Sequence, residues 1–335
     1  MHLSVPTRIW LAAAIAAATA AALAGCSSAS SSPASTAAST AGSAASTAAG
    51  SPAAAAASSF PVTLSTANGP VTIKAKPARI VSLAPTATED LYAVGAGSQV
   101  VAVDQDSDYP PGVPVTKLSG LTPNLEAIAK YNPALVVASQ NSGGLVSGLT
   151  KLGIPVLIEP APANLAGAYQ QIDQIGQATG HLAQAEQTVT SMQTQIAATV
   201  KQAGSSHQDL TYYWELSANP FYSAASSTFI GQVVGLFGLK NIADAADKAS
   251  DGGYPELSEE YIIKAQPRII FLADNQAADG GQAPAIVSAR PGWSAIPAVA
   301  DHEVVGLNDD IASRWGPRLP QLVSEIAQAV EQASK

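Results

Sequence analysis

Glu126-Ala-Ile-Ala-Lys-Tyr-Asn-Pro133 followed by Ala-Leu-Val-Val-Ala138 faces Glu260-Tyr-Ile-Ile-Lys-Ala-Gln-Pro267 followed by Arg-Ile-Ile-Phe-Leu272 when the chain is slid against itself. Glu, Ile, Lys and Pro coincide. In each copy apolar residues at helical spacing run up to an X-Pro step, where the residue before proline is pushed out of the α region, and a short continuous apolar run follows. Each copy therefore reads as a helix stopped by proline and fed directly into a strand buried on both faces. That is the pattern of an α/β unit with a parallel sheet. Two copies predict two related lobes, each carrying its own sheet.

Neighbouring segments extend the pattern outward. Pro61 to Ser65 and Val71 to Lys74 flank Asn68-Gly69, a hairpin signal. Arg79-Ile-Val-Ser-Leu83 reads as a buried strand, and Thr86 with Glu89 has the spacing of a capping box opening a helix that ends near Gly95. Val100-Val-Ala-Val103, a helix after Thr122-Pro123, a helix near Leu145 to Leu152 and the strand Pro155-Val-Leu-Ile158 continue the alternation. In the second half, Tyr212-Tyr-Trp-Glu-Leu216 is the corresponding strand and Thr228 to Phe237 the corresponding helix. Asn164 to Ala203 is helical with one interruption at Gly180-His181, and its later part predicts a stiff strut about 34 Å long. The expected division is an N-terminal lobe over 60–180, a connecting helix over 181–204 and a C-terminal lobe over 205–335. The ligand cleft is expected between the lobes.

The 335-residue chain carries Lys+Arg 16 against Asp+Glu 25, and no Asp, Glu, Lys or Arg stands between Arg8 and Lys74. A net charge of -9 with no basic block argues against nucleic acid. One cysteine excludes an intramolecular disulfide and any multi-cysteine metal site. Arg8 followed by the apolar run Ile9 to Leu23 reads as a signal peptide over 1–25. Leu23-Ala24-Gly25-Cys26 resembles the lipobox of bacterial lipoproteins, which implies cleavage before Cys26 and a lipid on its sulfur. An ordinary secretory signal with a chance cysteine is the plainer alternative. Residues 26–59 are almost only Ser, Ala, Thr, Gly and Pro, a disordered tether with a span of roughly 30 Å.

Ser82-Leu-Ala-Pro-Thr-Ala-Thr-Glu89, Ser107-Asp-Tyr-Pro110, Asn124-Leu-Glu126, Asn219-Pro-Phe221, Tyr254-Pro-Glu-Leu-Ser258 and Arg314-Trp-Gly-Pro-Arg318 together resemble the helical-backbone substrate-binding proteins of ABC importers for iron–siderophores, haem and cobalamin. The likeness is nearest to the cobalamin-binding branch and runs in order from about Lys76 to Gln332. It implies a monomer, anchored by its lipid at the extracytoplasmic face of the cell membrane, that captures a metal chelate and delivers it to an ABC permease. It also implies that one glutamate on each lobe meets the permease, and Glu126 and Glu260 match. By themselves, both also suit the first turn of a helix, where the dipole favours a carboxylate.

For the ligand, the resemblance places Phe221 at an aromatic position, Tyr254 where the cobalamin site has a tryptophan, and Asp310 and Arg314 at matching positions. Asp106, Leu121 and Ser139 fall where cobalamin binders carry Tyr, Trp and Trp, which removes flat apolar area from the first lobe. A corrinoid, haem or a ferric siderophore stays open. Arg314 suits an anionic chelate or a propionate, and equally a structural ion pair with Asp310. No G-x-S-x-G, HExxH or P-loop occurs, and Gly95-Ala-Gly97 follows a helix instead of a strand, so no enzyme is expected. His181, His207 and His302 are too scattered for direct metal binding. The rival functions are a tethered surface adhesin or scaffold and, further off, an α/β hydrolase-type enzyme.

Overall fold

A computed structural model describes residues 59–275 and 281–335. The signal peptide, Cys26 and the tether up to residue 58 lie outside the described residues. Strands β1 (Val62–Thr66) and β2 (Gly69–Ile73) form the expected antiparallel hairpin, with Thr66 opposite Gly69. The first lobe is built on β3 (Ile80–Leu83), β4 (Val100–Asp104), β5 (Val115–Leu118), β6 (Leu135–Ala138) and β7 (Val156–Ile158). All are parallel, in the order β5-β4-β3-β6-β7. Helices α1 (Pro85–Ala93), α2 (Leu125–Ala129) and α3 (Leu145–Lys151) make the crossovers.

After α4 (Leu165–Thr179) and α5 (Leu182–Ala203) the pattern returns. The second lobe runs β8 (Thr211–Glu215), β9 (Ser217–Ala218), β10 (Phe221–Tyr222), α6 (Phe229–Gly235), β11 (Lys240–Asn241), β12 (Glu256–Leu257), α7 (Glu259–Ala265) and β13 (Ile269–Leu272). It ends with α8 (Pro284–Ser288), α9 (Pro297–Ala300), β14 (Val304–Gly306), α10 (Asp309–Ser313) and α11 (Leu319–Ala333). Its parallel sheet has the order β11-β8-β13-β14, the same as β4-β3-β6-β7. The repeat quoted above is thus α2 running into β6 and α7 running into β13. The two-residue strands of the small antiparallel sheet β12-β10-β9 carry too few alternating residues to announce themselves in sequence, and β5, as long as β3 and β6, is an edge strand whose Thr and Lys break the apolar run.

Each sheet is buried on both faces, and the two-residue period of a strand sorts its side chains. Ile80, Leu135 and Val137 pack into one core while Val81, Val136 and Ala138 pack into another. In the second lobe Tyr212, Trp214, Ile269 and Phe271 share the first of those cores, and Tyr213, Ile270 and Leu272 form a third. One apolar core therefore runs through both lobes. Helix α5 lies in it, burying Ala185, Val189, Met192 and Ile196 at intervals of three and four residues, a stripe along one face. It packs on α4 and on α11.

The helical stretch expected from Asn164 to Ala203 is two helices because Gly180 adopts φ 76, left-handed backbone that glycine takes without a Cβ clash. The chain turns there, and α4 and α5 approach so closely that a Cβ on Gly176 would lie 2.4 Å from that of Ala185.

Thr86 and Glu89 do not form a capping box. The N-cap is Ala84, extended at φ -151 and ψ 130, and Pro85 opens the helix with the fixed φ suited to that position. Thr86 already lies in the first turn, and Glu89 is buried and committed elsewhere.

Candidate functional site

In a parallel α/β sheet, loops gather at the carboxyl ends of the strands, and ligands bind there. Asp106, Leu121 and Ser139 follow β4, β5 and β6; Phe221, Tyr254 and Asp310 follow β8, β11 and β14. All the sequence-predicted ligand residues thus sit in strand-end segments. The strand-end segments of the two sheets meet through charge.

Glu89 on α1 has a fully buried side chain between two arginines of the other lobe. Arg318 donates from Nε to Glu89 Oε2 at 2.8 Å and from Nη2 to Oε1 at 2.6 Å. Arg314 Nη1 donates to Glu89 Oε1 at 2.9 Å and to Asp108 Oδ1 at 3.2 Å. Its Nη2 donates to Asp310 Oδ1 at 2.6 Å and to the Asp106 carbonyl at 3.2 Å. The Arg318 guanidinium stacks 4.2 Å from the ring centre of Tyr109, which stays 38% exposed. Asp106, Asp310 and Arg314 are therefore brought together, with Glu89, Asp108, Tyr109 and Arg318 added to them.

A second cluster stands at the end of β8. Glu215, also fully buried, takes both Arg290 nitrogens at 2.7 and 2.6 Å, a bidentate pair. Arg290 also donates to Gln282 Oε1 at 2.8 Å. Its guanidinium lies 5.2 Å from the Phe221 ring centre and 4.5 Å from that of Trp293. Phe221 is thus half-buried against Trp293 and a cation. Leu121 and Tyr254 keep 62% and 40% of their surface exposed, and Ser139 is half-buried.

Several carboxyls here are pushed toward their neutral form. Burial raises Asp104 to about 6, against the pull of a 2.5 Å hydrogen bond from Ser107. Ser107 Oγ lies 2.9 Å from Thr88 Oγ1, which donates to Ser82 Oγ at 2.8 Å, so a chain of hydroxyls backs that carboxyl. Burial and the charge of Glu215 raise Asp274 to about 7, and burial alone raises Glu159 to about 8. Among the described residues no group of three or more His, Cys, Asp or Glu could hold a metal ion, and no helix is long and apolar enough to cross a membrane.

Glu126 and Glu260 occupy the same place in their helices. Each is exposed, two residues after an N-cap, with Asn124 accepting from Ala127 N–H and Ser258 from Tyr261 N–H. Glu260 is held below the ordinary glutamate value by its own backbone N–H and by Ser258.

Sequence reading overlooked Glu89, Arg318 and Tyr109, although all three stood inside quoted segments. The acidic pair Glu89-Asp90 inside a short helix directly after a buried strand was the available signal. Glu215 and Arg290 carried no such mark.

The family described as periplasmic binding protein matches residues 80–311. An ABC transporter substrate-binding lipoprotein of Bacillus subtilis (strain 168) is 33% identical over 280 residues, covering 81% of this chain and 86% of its own. The periplasmic vitamin B12-binding protein of Vibrio cholerae superimposes with a TM-score of 0.65 at 26% identity, over 78% of this chain and 99% of its own. A periplasmic haem-binding protein from Roseiflexus sp. RS-1 does so with a TM-score of 0.66 at 26% identity, over 77% and 99%.

Removing Glu89 leaves the largely buried Arg318 guanidinium without its carboxylate and Arg314 without one of its three. Glu89→Ala is expected to cost about 3–5 kcal/mol in denaturant unfolding, whereas Asp108→Asn, whose side chain is 65% exposed, costs under about 1 kcal/mol. Equal losses would show that burial of Glu89 contributes nothing special.

Glu159 gives a pH prediction. A carboxyl raised in the folded state contributes stability that is fully present below its unfolded value and is lost as pH rises through the folded value. Wild-type stability therefore falls between the ordinary value of 4.5 and about 8, and Glu159→Gln flattens that fall. Unfolding of both proteins across this range measures it, and parallel curves would remove Glu159 as the titrating group.

Proposed function

The chain belongs to the periplasmic binding protein family, and from this we propose that it is an extracytoplasmic substrate-binding lipoprotein that captures a metal chelate and passes it to an ABC permease. It is a binding component of transport and not an enzyme. A ferric siderophore, haem or a corrinoid fits the reading. The observation that carries it is the meeting of the strand-end segments of two like-ordered sheets through buried charge, with Tyr109 stacked on Arg318 and with Leu121 and Tyr254 exposed in other strand-end loops. Aromatic and apolar surface with a few fixed polar groups is what small-molecule sites offer.

In this reading Phe221, Tyr254, Asp310, Arg314, Asp106, Leu121 and Ser139 border the ligand, and Glu126 and Glu260 dock to basic residues of the permease. Their equivalent, exposed positions at capped helix starts support that pairing. Two separated carboxylates fix orientation as well as affinity. Cys26 carries the lipid, and the tether lets a monomeric binding unit reach a membrane-embedded partner.

Calorimetry with vitamin B12, haem and a ferric hydroxamate tests capture, and binding of at least one is expected. No binding to any of them, with the fold intact by circular dichroism, overturns the reading and favours a tethered adhesin. The double reversal Glu126→Lys and Glu260→Lys is expected to abolish uptake of the bound chelate while leaving its affinity unchanged. Uptake at normal rates would remove the docking role. Cys26→Ser should move the protein from the membrane fraction to the soluble fraction, and continued membrane retention would count against the lipid anchor.

A further inference from the structure

The charges at the strand ends decide more than lobe contact. Arg314 suits an anion by its sequence, yet it and the two other strand-end arginines, Arg290 and Arg318, are each paired with carboxylate. Arg318 is bidentate to Glu89, Arg290 is bidentate to Glu215, and Arg314 has Glu89, Asp108, Asp310 and a backbone carbonyl on its two terminal nitrogens. Three guanidiniums thus meet four carboxylates, those of Glu89, Asp108, Asp310 and Glu215.

The remaining strand-end loops deepen the excess of acid. The segments that follow β3 to β7 contain Asp106 and Asp108, besides the Glu159 that burial holds toward its neutral form, and no Lys or Arg before the next helix or strand. The loop after β11 has one lysine, Lys248, which is exposed and set among Asp244, Asp247 and Asp251. An arriving carboxylate would have to displace Asp108 or Asp310 from Arg314, or take Arg314 or Arg318 from Glu89. The last would strand a buried charge, because the Glu89 side chain has no exposed surface through which water could replace the arginine.

We infer that this site takes chelates of zero or positive net charge and rejects anionic ones. The inference rests on the reading of the chain as a chelate-binding protein and narrows its substrate class. Tyr109, Leu121 and Tyr254 supply exposed apolar faces for an uncharged ligand. Asp108 and Asp310, 65% and 30% exposed, present carboxylate oxygens to amide or ammonium donors. Rejection arises from like charge and from the lack of an unspent arginine, which is specificity by repulsion as much as by attraction.

The test uses pairs that differ in charge and little else. One is vitamin B12 with its monocarboxylate, in which one side-chain amide is hydrolysed. The other is haem dimethyl ester with haem, whose propionates are ionised. Binding to the wild-type protein is measured by tryptophan fluorescence quenching at low and high salt. For whichever pair binds, the uncharged member should bind about ten-fold or more tightly at low salt, and the gap should shrink as salt screens it. In Asp108→Asn/Asp310→Asn, whose folding is checked by thermal melting, the same gap should close by about ten-fold.

Equal or tighter binding of the carboxylate form by the wild-type protein overturns the charge selection while leaving chelate capture standing. A gap unchanged in the folded double variant removes these two carboxylates as its source. Failure of both pairs to bind a folded protein overturns chelate capture itself, and the charge selection with it.

Discussion

Glu89 is a carboxylate placed where no water reaches it, and much of the arrangement between the lobes follows from that. A buried ionised carboxylate is tolerated only if its charge is matched and its lone pairs are filled. Here both needs are met from the other lobe, by the Nε and Nη2 of Arg318 and the Nη1 of Arg314. Neither arginine can leave without exposing the cost of burying Glu89. Distance in sequence makes the contact informative, since α1 and the segment around α10 come from opposite ends of the folded chain. The lobes also share one apolar core around α5, to which α1 and α10 contribute Ala87, Leu91, Ile311 and Ala312. Together the core and the ion cluster hold the two sheets.

The two lobes solve the strand-end problem in parallel ways. Parallel sheets buried on both faces bring backbone and polar side chains to their carboxyl ends, where loops must leave the core. In the second lobe Glu215, the last residue of β8, is neutralised by Arg290, whose flat guanidinium also covers Phe221 and Trp293. In the first lobe the corresponding strand β3 ends in Leu83, and the carboxylate comes from the helix that follows it. Carboxyls left without a full cation, such as Glu159 and Asp274, move toward the neutral form instead. Pairing and protonation are thus two outcomes of the same desolvation, selected by whether an arginine is within reach.

The repeat made the fold legible because helix and strand carry their own period, and an X-Pro step marks their junction. The segment from Glu126 to Ala138 encodes α2 and β6 with almost no help from the rest of the chain. The site was less legible for a reason visible at Glu89. Its spacing from Thr86 matched a local cap, while its true partners lie more than two hundred positions away, so no local pattern points to them. Asp310 and Arg314 were legible only through the family resemblance, and Arg318, beyond the end of α10, carries no local pattern that points to Glu89. Tyr109 lacked periodicity altogether, since it stands in a loop whose shape is set by tertiary contact. The strands of the small antiparallel sheet, two residues each, were below the length at which alternation can be seen.

Holding the lobes together before a ligand arrives has an energetic consequence for how affinity is set. A cleft that must close on its cargo spends part of the contact energy on ordering its own parts, and a preformed cleft does not. The shared core on α5 and the buried Glu89 both oppose wide hinge motion, because opening would expose apolar surface and leave charge uncompensated. Discrimination must then come from shape and charge already in place. Under the proposed chelate reading, the exposed rings of Tyr109 and Tyr254 would offer contact area and the carboxylates around Arg314 would set the sign. A site built this way can be generous about the chemistry at the centre of its ligand while remaining strict about the charge at its edge.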